Sequence, residues 1–327
     1  SQPLPARESL EAAAVLGERV DEAEWTALCS ALRLSPPPGV VEGLVRERLV
    51  SPVDAPGDSI VWSFAHGMIR EAVLRGAREE GRLTRLHHEA ATLLAARPDV
   101  EPLRLAAHHL VSGDASSALD AALAGIAVHA EHARWADALG GVAVASAALA
   151  ALPGAVQDER RLFVEVWRAR AILGGASGVD GAEATALAAR ALDRAIDESR
   201  DRGWPETLAA ALIARADVHR LAAEGAAEAQ RLSEARVAAW GVGDARLRAA
   251  IDIRLARIAL RKRDHEGAAG RLAEARGGSP TLDDDPLAAD LSLVEAELAL
   301  QTADSAAAAT LARGVRAGAG GSRSSAA

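Results

Sequence analysis

The sequence predicts a mainly all-α protein in which a small strand-containing module precedes a long series of packed helices. Half of the 327 residues are hydrophobic but only 2% are aromatic. The apolar mass is therefore Ala, Leu and Val, and a composition rich in Ala and Leu favours helices that pack closely on helices. Strand-like runs occur only near residues 49–64, so we expect strand nowhere else. Apolar residues recur at helical spacing over the remainder of the chain.

The N-terminal module, residues 1–78, combines three helical segments with one hairpin. Helices are predicted over residues 8–16, 21–32 and 40–48, separated by Gly17 and by a Pro-Pro-Pro-Gly break at residues 36–39. Two β-rich runs then flank the turn Asp-Ala-Pro-Gly-Asp at residues 54–58. Three helices followed by a two-stranded wing predict a winged-helix-like fold.

The C-terminal half shows an internal repeat of about forty residues. Arg-Leu-Ser-Glu-Ala-Arg at residues 231–236 recurs as Arg-Leu-Ala-Glu-Ala-Arg at residues 271–276. Helical units of this length bury their apolar face only by stacking, so an α-solenoid is predicted. We expect about four repeats, at residues 156–200, 204–242, 244–282 and 286–317. Linker helices forming a helical arm are predicted over 79–155, and a flexible Gly/Ser-rich tail over 318–327.

One repeat resembles a tetratricopeptide repeat (TPR). The small and apolar signature of that family falls on Leu255, Ala256, Ala268, Leu272, Ala275 and Pro280, although Asp252 and Ala259 replace its aromatic residues. The resemblance implies TPR-like hairpins in which Ala256 and Ala268 lie at a helix crossing and Arg257 and Arg261 are exposed.

The TPR register also predicts which first-helix residues face the concave side, where repeat proteins of this kind bind partners. Arginines and acids among them suit a charged peptide, a protein partner or a small anionic effector. The same residues are equally compatible with a solvated helix face. The predicted concave-face residues are Ile213, Asp217, Arg220, Arg257, Arg261, Glu297 and Gln301.

No catalytic residues and no cofactor are predicted. The only lysine, Lys262, is not part of a Gly-x-x-x-x-Gly-Lys loop, so the usual phosphate-loop route of nucleotide hydrolysis is excluded for this chain. No metal is expected either, because neighbouring residues on one helix point about 100° apart and neither His87-His88 nor His108-His109 can chelate alone. The longest uncharged stretch, residues 138–157, is rich in Ala and Gly, and we interpret it as a buried helix rather than a membrane span.

The most specific motif lies just after the predicted wing. Trp-Ser-Phe-Ala-His-Gly-Met-Ile-Arg-Glu-Ala-Val at residues 62–73 resembles the end of the winged-helix domain of STAND-type signalling ATPases. That group includes large LuxR-type regulators, the maltose-regulon activator type and ATPase-fused bacterial Ser/Thr kinases or cyclases. The resemblance implies that His66, with Arg70 on the same helix, faces nucleotide held by an ATPase domain outside this chain. The alternative is that His66 caps the helix or packs behind the wing.

These observations predict a regulatory region that senses an effector or protein partner and relays the event to an ATPase domain. A DNA-binding transcription regulator acting through the N-terminal module is the alternative, and a passive scaffold is a third possibility. The net charge of −9 makes nucleic acid an unlikely partner for the whole chain. A single cysteine, Cys29, and a first segment without signal-peptide character lead us to expect a cytoplasmic protein.

Overall fold

The computed structural model describes residues 4–54, 60–175, 181–278 and 286–302, and the chain divides into two compact units. Unit 1 is Ser1–Asp158 and unit 2 is Glu159–Ala327. The described residues form fifteen α-helices and three short strands, which confirms the predicted all-α class. None of the described helices combines the length and apolar character needed to cross a membrane.

Unit 1 begins with three helices, α1, α2 and α3, and a small antiparallel sheet in the order β1-β3-β2. Trp62 of β3 pairs with Val20 of β1 on one side and with Pro52 of β2 on the other. Four of the remaining helices of the unit correspond to the predicted helical arm. The bounds are α1 Leu4–Leu16, β1 Arg19–Asp21, α2 Glu22–Ala31, α3 Val40–Arg46, β2 Val50–Val53, β3 Val61–Phe64, α4 Gly67–Glu79, α5 Leu83–Ala95, α6 Pro102–Ser112, α7 Ala115–Glu131 and α8 Trp135–Ala151.

Strand β1 corrects the expectation that strand is confined to residues 49–64. The hairpin of β2 and β3 lies where it was predicted, but β1 adds a third strand more than thirty residues earlier. This strand has three residues, of which only Val20 is fully buried. Such a segment is too short to show an alternating pattern, and its pairing with β3 is a long-range contact that local sequence does not reveal.

Three aromatic residues organise the core of the N-terminal part of unit 1. Trp62 is fully buried and contacts Trp25 and Phe64 edge-to-face, with ring centroids 5.8 Å and 5.6 Å apart. The Trp25 indole donates a 2.7 Å hydrogen bond to the Ser9 carbonyl, which ties α2 to α1. The sheet, α1 and α2 therefore share one core.

Close helix packing in the arm depends on glycine. A Cβ atom at Gly141 of α8 would lie 2.6 Å from Ile126, and one at Gly125 of α7 would lie 2.6 Å from Leu103. These distances are shorter than carbon atoms tolerate, so α6, α7 and α8 can only approach as they do with no side chain there. The predicted Ala-rich helix over residues 138–157 is thereby confirmed as α8, up to Ala151.

The described residues of unit 2 form seven helices arranged as hairpins. Helices α11 and α13 begin forty residues apart, as do α12 and α14, in agreement with the predicted repeat. Equivalent alanines, Ala216, Ala256 and Ala296, are all buried. The second half of the fourth predicted repeat and the tail over 318–327 lie outside the described residues. The bounds are α9 Arg160–Leu173, α10 Gly181–Arg202, α11 Pro205–Leu221, α12 Gly225–Val242, α13 Ala245–Arg261, α14 His265–Gly278 and α15 Pro286–Gln301.

The first helices of the hairpins form a layer of their own. Helix α9 contacts α11 and α13 contacts α15, whereas α10, α12 and α14 contact mainly their hairpin partners and the next first helix. We call the solvent-facing side of α9, α11, α13 and α15 the first-helix face. It corresponds to the side that the TPR register assigned to partner binding.

Candidate functional site

Two surfaces, one in each unit, contain the residues that the sequence singled out. In unit 1, His66 occupies the position just before α4, with extended backbone at φ −144° and ψ 139°. Its side chain is exposed and makes no capping hydrogen bond to the helix. Met68, on the first turn of α4, is 80% exposed. The N-terminal end of α4 thus presents an imidazole and an apolar side chain to solvent.

Arg70 has a partner inside unit 1. Its Nε donates a 2.8 Å hydrogen bond to the carbonyl oxygen of Ala14, near the end of α1. The last carbonyls of a helix lack intrahelical donors, so this bond satisfies a buried acceptor near the end of α1. Arg70 therefore links α4 to α1 through a hydrogen bond, a role that the sequence motif did not indicate.

An apolar groove lies beside this end of α4. It has a volume of about 500 Å³ and runs between α1 and α4, with Leu49 contributing from the segment before β2. Most of its lining is aliphatic, and Arg7 and Glu11 provide the charged groups. Glu11 is almost fully buried and accepts hydrogen bonds from Arg82, so its charge is already compensated.

The structure brings two of the predicted histidines together. The rings of His87 on α5 and His108 on α6 have centroids 5.0 Å apart, and the Nδ1 atom of each is buried without a hydrogen-bond partner. Burial lowers the pKa of His87 to about 4 and that of His108 to about 3. Both rings are therefore neutral at pH 7. Across the described residues, no three His, Cys, Asp or Glu side chains converge as a metal site would require.

In unit 2, most of the predicted concave-face residues lie on the first-helix face, and several form ion pairs. Asp217 of α11 pairs with Arg254 of α13 at 2.7 Å and with Arg220 at 3.5 Å. Arg261 pairs with Glu228 of α12 at 2.8 Å. These contacts link α11, α12 and α13 through side chains, so the face is an ionic network rather than a set of independent solvated residues.

The remaining predicted residues contribute less to this network. Arg257 is half-buried and pairs with Asp290 of α15 at 3.0 Å. Gln301 hydrogen-bonds to Glu297 at 3.3 Å and lies 3.3 Å from the His265 ring. Ile213 is half-buried and packs against the core, so it offers little surface to a partner.

Three members of this network were not predicted from the sequence: Glu228, Arg254 and Arg170. Glu228 has a side chain only 3% exposed and lies 3.9 Å from Arg254 as well as 2.8 Å from Arg261. Arg170 of α9 lies close to Asp217 and Arg254, with its guanidinium stacked 4.2 Å from the centre of the Trp167 ring. Glu228 could have been recognised, because it occupies an apolar position of an Ala-rich helix. A buried acid requires a cationic partner, so that position predicts a nearby arginine.

The charge balance of this network is uneven. We define the arginine cluster as Arg170, Arg220, Arg254 and Arg261 with the two carboxylates of Asp217 and Glu228. The four arginines share two acids, which leaves two positive charges in excess in a chain whose net charge is −9. Burial holds the pKa of the Arg170 guanidinium below its ordinary value, with Arg254 adding to the effect and Asp217 opposing it.

A second buried acid explains a departure from the TPR pattern. Asp252 stands where that family has an aromatic residue, and it is 2% exposed. Arg236 and Arg271 bind it from α12 and α14, at 2.8 Å and 3.2 Å. An ion-pair bridge between three helices therefore replaces the aromatic contact at this position.

No family model matches the chain, and no curated protein matches its sequence. Among solved structures, the chain is similar to a signal transduction ATPase with numerous domains (STAND) with a tetratricopeptide repeat sensor, from Pyrococcus horikoshii. Sequence identity is 13%, and the TM-score is 0.40. The match covers 91% of this chain and 54% of that protein, so the chain spans about half of its length.

Proposed function

We propose that this chain is the regulatory and partner-sensing region of a STAND-type signalling ATPase. In this proposal the helical repeats of unit 2 bind a protein partner through the first-helix face. The N-terminal module of unit 1 relays that event to an ATPase domain outside the chain, and the chain itself catalyses no reaction.

The arginine cluster on the first-helix face is the observation that supports this function best. A helical-repeat scaffold without a binding role needs an apolar core and a solvated exterior, and isolated surface ion pairs add little stability. The cluster instead combines partly buried side chains from α9, α11, α12 and α13. Charged groups that are fixed in place and left with excess charge are suited to recognising a partner of opposite charge.

The N-terminal module supports the relay half of the proposal. The order α1-β1-α2-α3-β2-β3, with β1 paired to β3, is the order of elements in a winged helix. His66 and Met68 are exposed beside the groove between α1 and α4. An exposed imidazole can donate a hydrogen bond to a phosphate oxygen, and the groove provides apolar surface for a neighbouring domain.

The DNA-binding alternative has less support from the same module. The exposed side of α3 and the turn after it presents Glu42, Arg46, Glu47 and Arg48, so two acids offset two arginines. A helix that enters the major groove needs a positive surface to bind phosphates. A balanced surface favours contact with protein.

The relay is tested by His66→Ala in the full-length protein. If His66 binds a nucleotide phosphate in the resting state, its loss removes one charge-assisted hydrogen bond. We expect nucleotide release about tenfold faster or more, with higher basal activity. Release of a fluorescent nucleotide analogue measures the effect directly.

Arg75→Ala is the matched control, because Arg75 is also exposed and on α4. It should leave nucleotide release unchanged within about twofold, the usual scatter for an exposed substitution. Equal release rates in wild-type protein and His66→Ala would refute the relay through His66. Activity that also stays constant when a partner is bound would leave only a passive scaffold.

A further inference from the structure

Among the described residues, Arg170 lacks the ion pair that several half-buried arginines of unit 2 make. Arg161, Arg215 and Arg236 each have a carboxylate oxygen within 3.0 Å. Within the part of the chain that the structure describes, no carboxylate lies within ion-pair distance of the Arg170 guanidinium. Asp217, the acid whose charge acts on Arg170, is already bound by Arg254 and Arg220.

The surroundings of Arg170 hold its guanidinium in place. The group stacks on the Trp167 ring at 4.2 Å, and both residues lie on α9 one turn apart. Stacking on an aromatic face leaves the edge of the guanidinium, with its N–H donors, free to bind an acceptor. A fixed guanidinium loses little conformational entropy when it binds, which favours a planar bidentate acceptor.

Removing a cation from water without a partner costs free energy, and two excess positive charges in one cluster add mutual repulsion. Arg170 and Arg254 experience this repulsion directly, because they lie close to each other. A bound anion would relieve both costs. Among the described residues, Arg170 is the member of the cluster without a carboxylate within ion-pair distance, so an anion bound there would pair with it.

We propose that Arg170, stacked on Trp167 and adjoining Arg254, binds a carboxylate of an acidic peptide segment of the partner protein. This inference rests on the proposed function and identifies the chemistry of its partner. The carboxylate is an Asp or Glu side chain or a C-terminal carboxyl group. The planar guanidinium fork matches a carboxylate in a bidentate pair, and inorganic phosphate is tested as the competing anion. The indole beside the guanidinium provides an apolar contact for a neighbouring side chain of the peptide.

The experiment measures binding of fluorescein-labelled peptides to the chain by fluorescence anisotropy. The probe is a twelve-residue peptide of alternating Glu and Leu with a free C-terminal carboxyl group. The same peptide with Gln in place of Glu and an amidated C terminus is the uncharged reference. We expect the acidic probe to bind at least about tenfold more tightly than the reference at low salt, with the difference shrinking as salt is added.

Arg170→Gln should weaken binding of the acidic probe about tenfold, the value of one charge-assisted pair. Arg190→Gln is the matched control, because Arg190 is exposed on α10 and its substitution removes the same charge from unit 2. It should change affinity less than about twofold, the scale of a screened surface charge. Arg170→Lys should restore part of the affinity, and Trp167→Leu should lower it with Arg170 intact.

Several outcomes overturn the assignment. Equal loss in Arg170→Gln and Arg190→Gln would show that only overall charge matters. Equal affinity for the acidic and uncharged probes would show that the site does not select a carboxylate. Displacement of the probe by inorganic phosphate at matched ionic strength would make it a phosphate site. If the Arg170→Gln and Arg170→Lys variants lose binding only in proportion to a lower melting temperature, Arg170 is structural. All of these outcomes leave the His66 test of the relay unaffected.

Discussion

His87 and His108 form a neutral pair inside unit 1, and their environment makes the unit sensitive to acid. Their pKa values, about 4 and about 3, lie below the ordinary value of 6.5 because burial disfavours the charged rings. Arg70 opposes the protonation of both rings, and Arg104 and His109 also oppose that of His108. In the unfolded chain these two rings therefore become protonated as the pH falls through about 6.5, whereas in the folded chain they stay neutral down to a much lower pH. Stability is highest above about pH 6.5 and is lost as the pH falls towards 3–4.

This pair predicts a measurable loss of stability between pH 7 and pH 5. For His108 the linkage relation gives about 2 kcal/mol at pH 5, and His87 adds a smaller amount because it is more exposed. Replacing both residues with Leu should remove most of the pH dependence, whatever it does to stability at pH 7. Urea unfolding followed by circular dichroism at the two pH values gives the comparison.

His88→Gln is the control for this prediction, since His88 is the exposed neighbour of His87 on α5. It should retain the wild-type difference between pH 7 and pH 5. A double variant that still loses as much stability on acidification as the wild type would place the acid-sensitive groups elsewhere.

At the scale of single residues, the sequence predicted which side chains are exposed better than it predicted their ion-pair and hydrogen-bond partners. The prediction that Arg261 is exposed is confirmed, because exposure depends on position along one helix, whereas Arg257, also predicted to be exposed, is half-buried. The partners Glu228 and Asp290 belong to other helices, and the distance between helices is not encoded locally. Arg70 shows the same limit, since its bond to the Ala14 carbonyl joins residues 56 positions apart.

At the scale of helices, the crossing of α13 and α14 depends on two alanines. Ala256 and Ala268 are fully buried in one cluster with Leu260 and Leu272. Ala256→Leu or Ala268→Leu would insert side-chain volume into this closed crossing. We expect a loss of about 1–3 kcal/mol in the free energy of unfolding, the usual cost of overpacking. Urea titration of unit 2 unfolding measures it.

Arg257→Ala is the surface reference for these alanine variants, because its partner Asp290 is exposed. It should cost under about 0.5 kcal/mol, as exposed ion pairs do. If Arg257→Ala destabilises the protein as much as Ala256→Leu, the repeat register is wrong.

Arg261→Ala should behave differently from Arg257→Ala, although Arg261 is the more exposed of the two. Its partner Glu228 is almost fully buried, and after the substitution only Arg254, at 3.9 Å, remains near that carboxylate. Leaving a buried acid poorly compensated costs about 1–3 kcal/mol. Urea unfolding of the two arginine variants side by side distinguishes a structural ion pair from a surface one. Equal costs would show that Glu228 does not depend on Arg261.

Helices and strands were predicted well where the sequence has a periodic apolar pattern or clear turn residues. The hairpin β2-β3 and the forty-residue repeat follow from local patterns and turn residues. The turns inside the hairpins were less visible, because Ala223 and Arg263 adopt left-handed backbone with φ near 60° where glycine is the usual residue. Both lie two residues after their helices, forty positions apart, so the repeat encodes a backbone conformation as well as a core.

At the scale of the whole molecule, the composition of the charged residues favours recognition of acidic groups over phosphate-loop catalysis. The chain has 46 acidic and 37 basic side chains, of which only one is lysine. Its basic groups are therefore almost entirely guanidinium, which binds carboxylates well but does not provide the lysine of a phosphate loop. The proposed division of labour, with nucleotide chemistry outside this chain and recognition inside it, is compatible with that composition.

The last prediction concerns ATP. Because no Gly-x-x-x-x-Gly-Lys sequence is present, the purified chain lacks the loop and the loop lysine that hold the β- and γ-phosphates in phosphate-loop enzymes. Phosphate release from ATP and Mg²⁺ should equal that of buffer alone, and equilibrium dialysis should detect no tight nucleotide binding. The same assay on the full-length protein provides the positive reference, and there we expect His66→Ala to change nucleotide release. Turnover by the isolated chain that one substitution within residues 1–327 abolishes would show a catalytic site here and overturn the assignment of this region as non-catalytic.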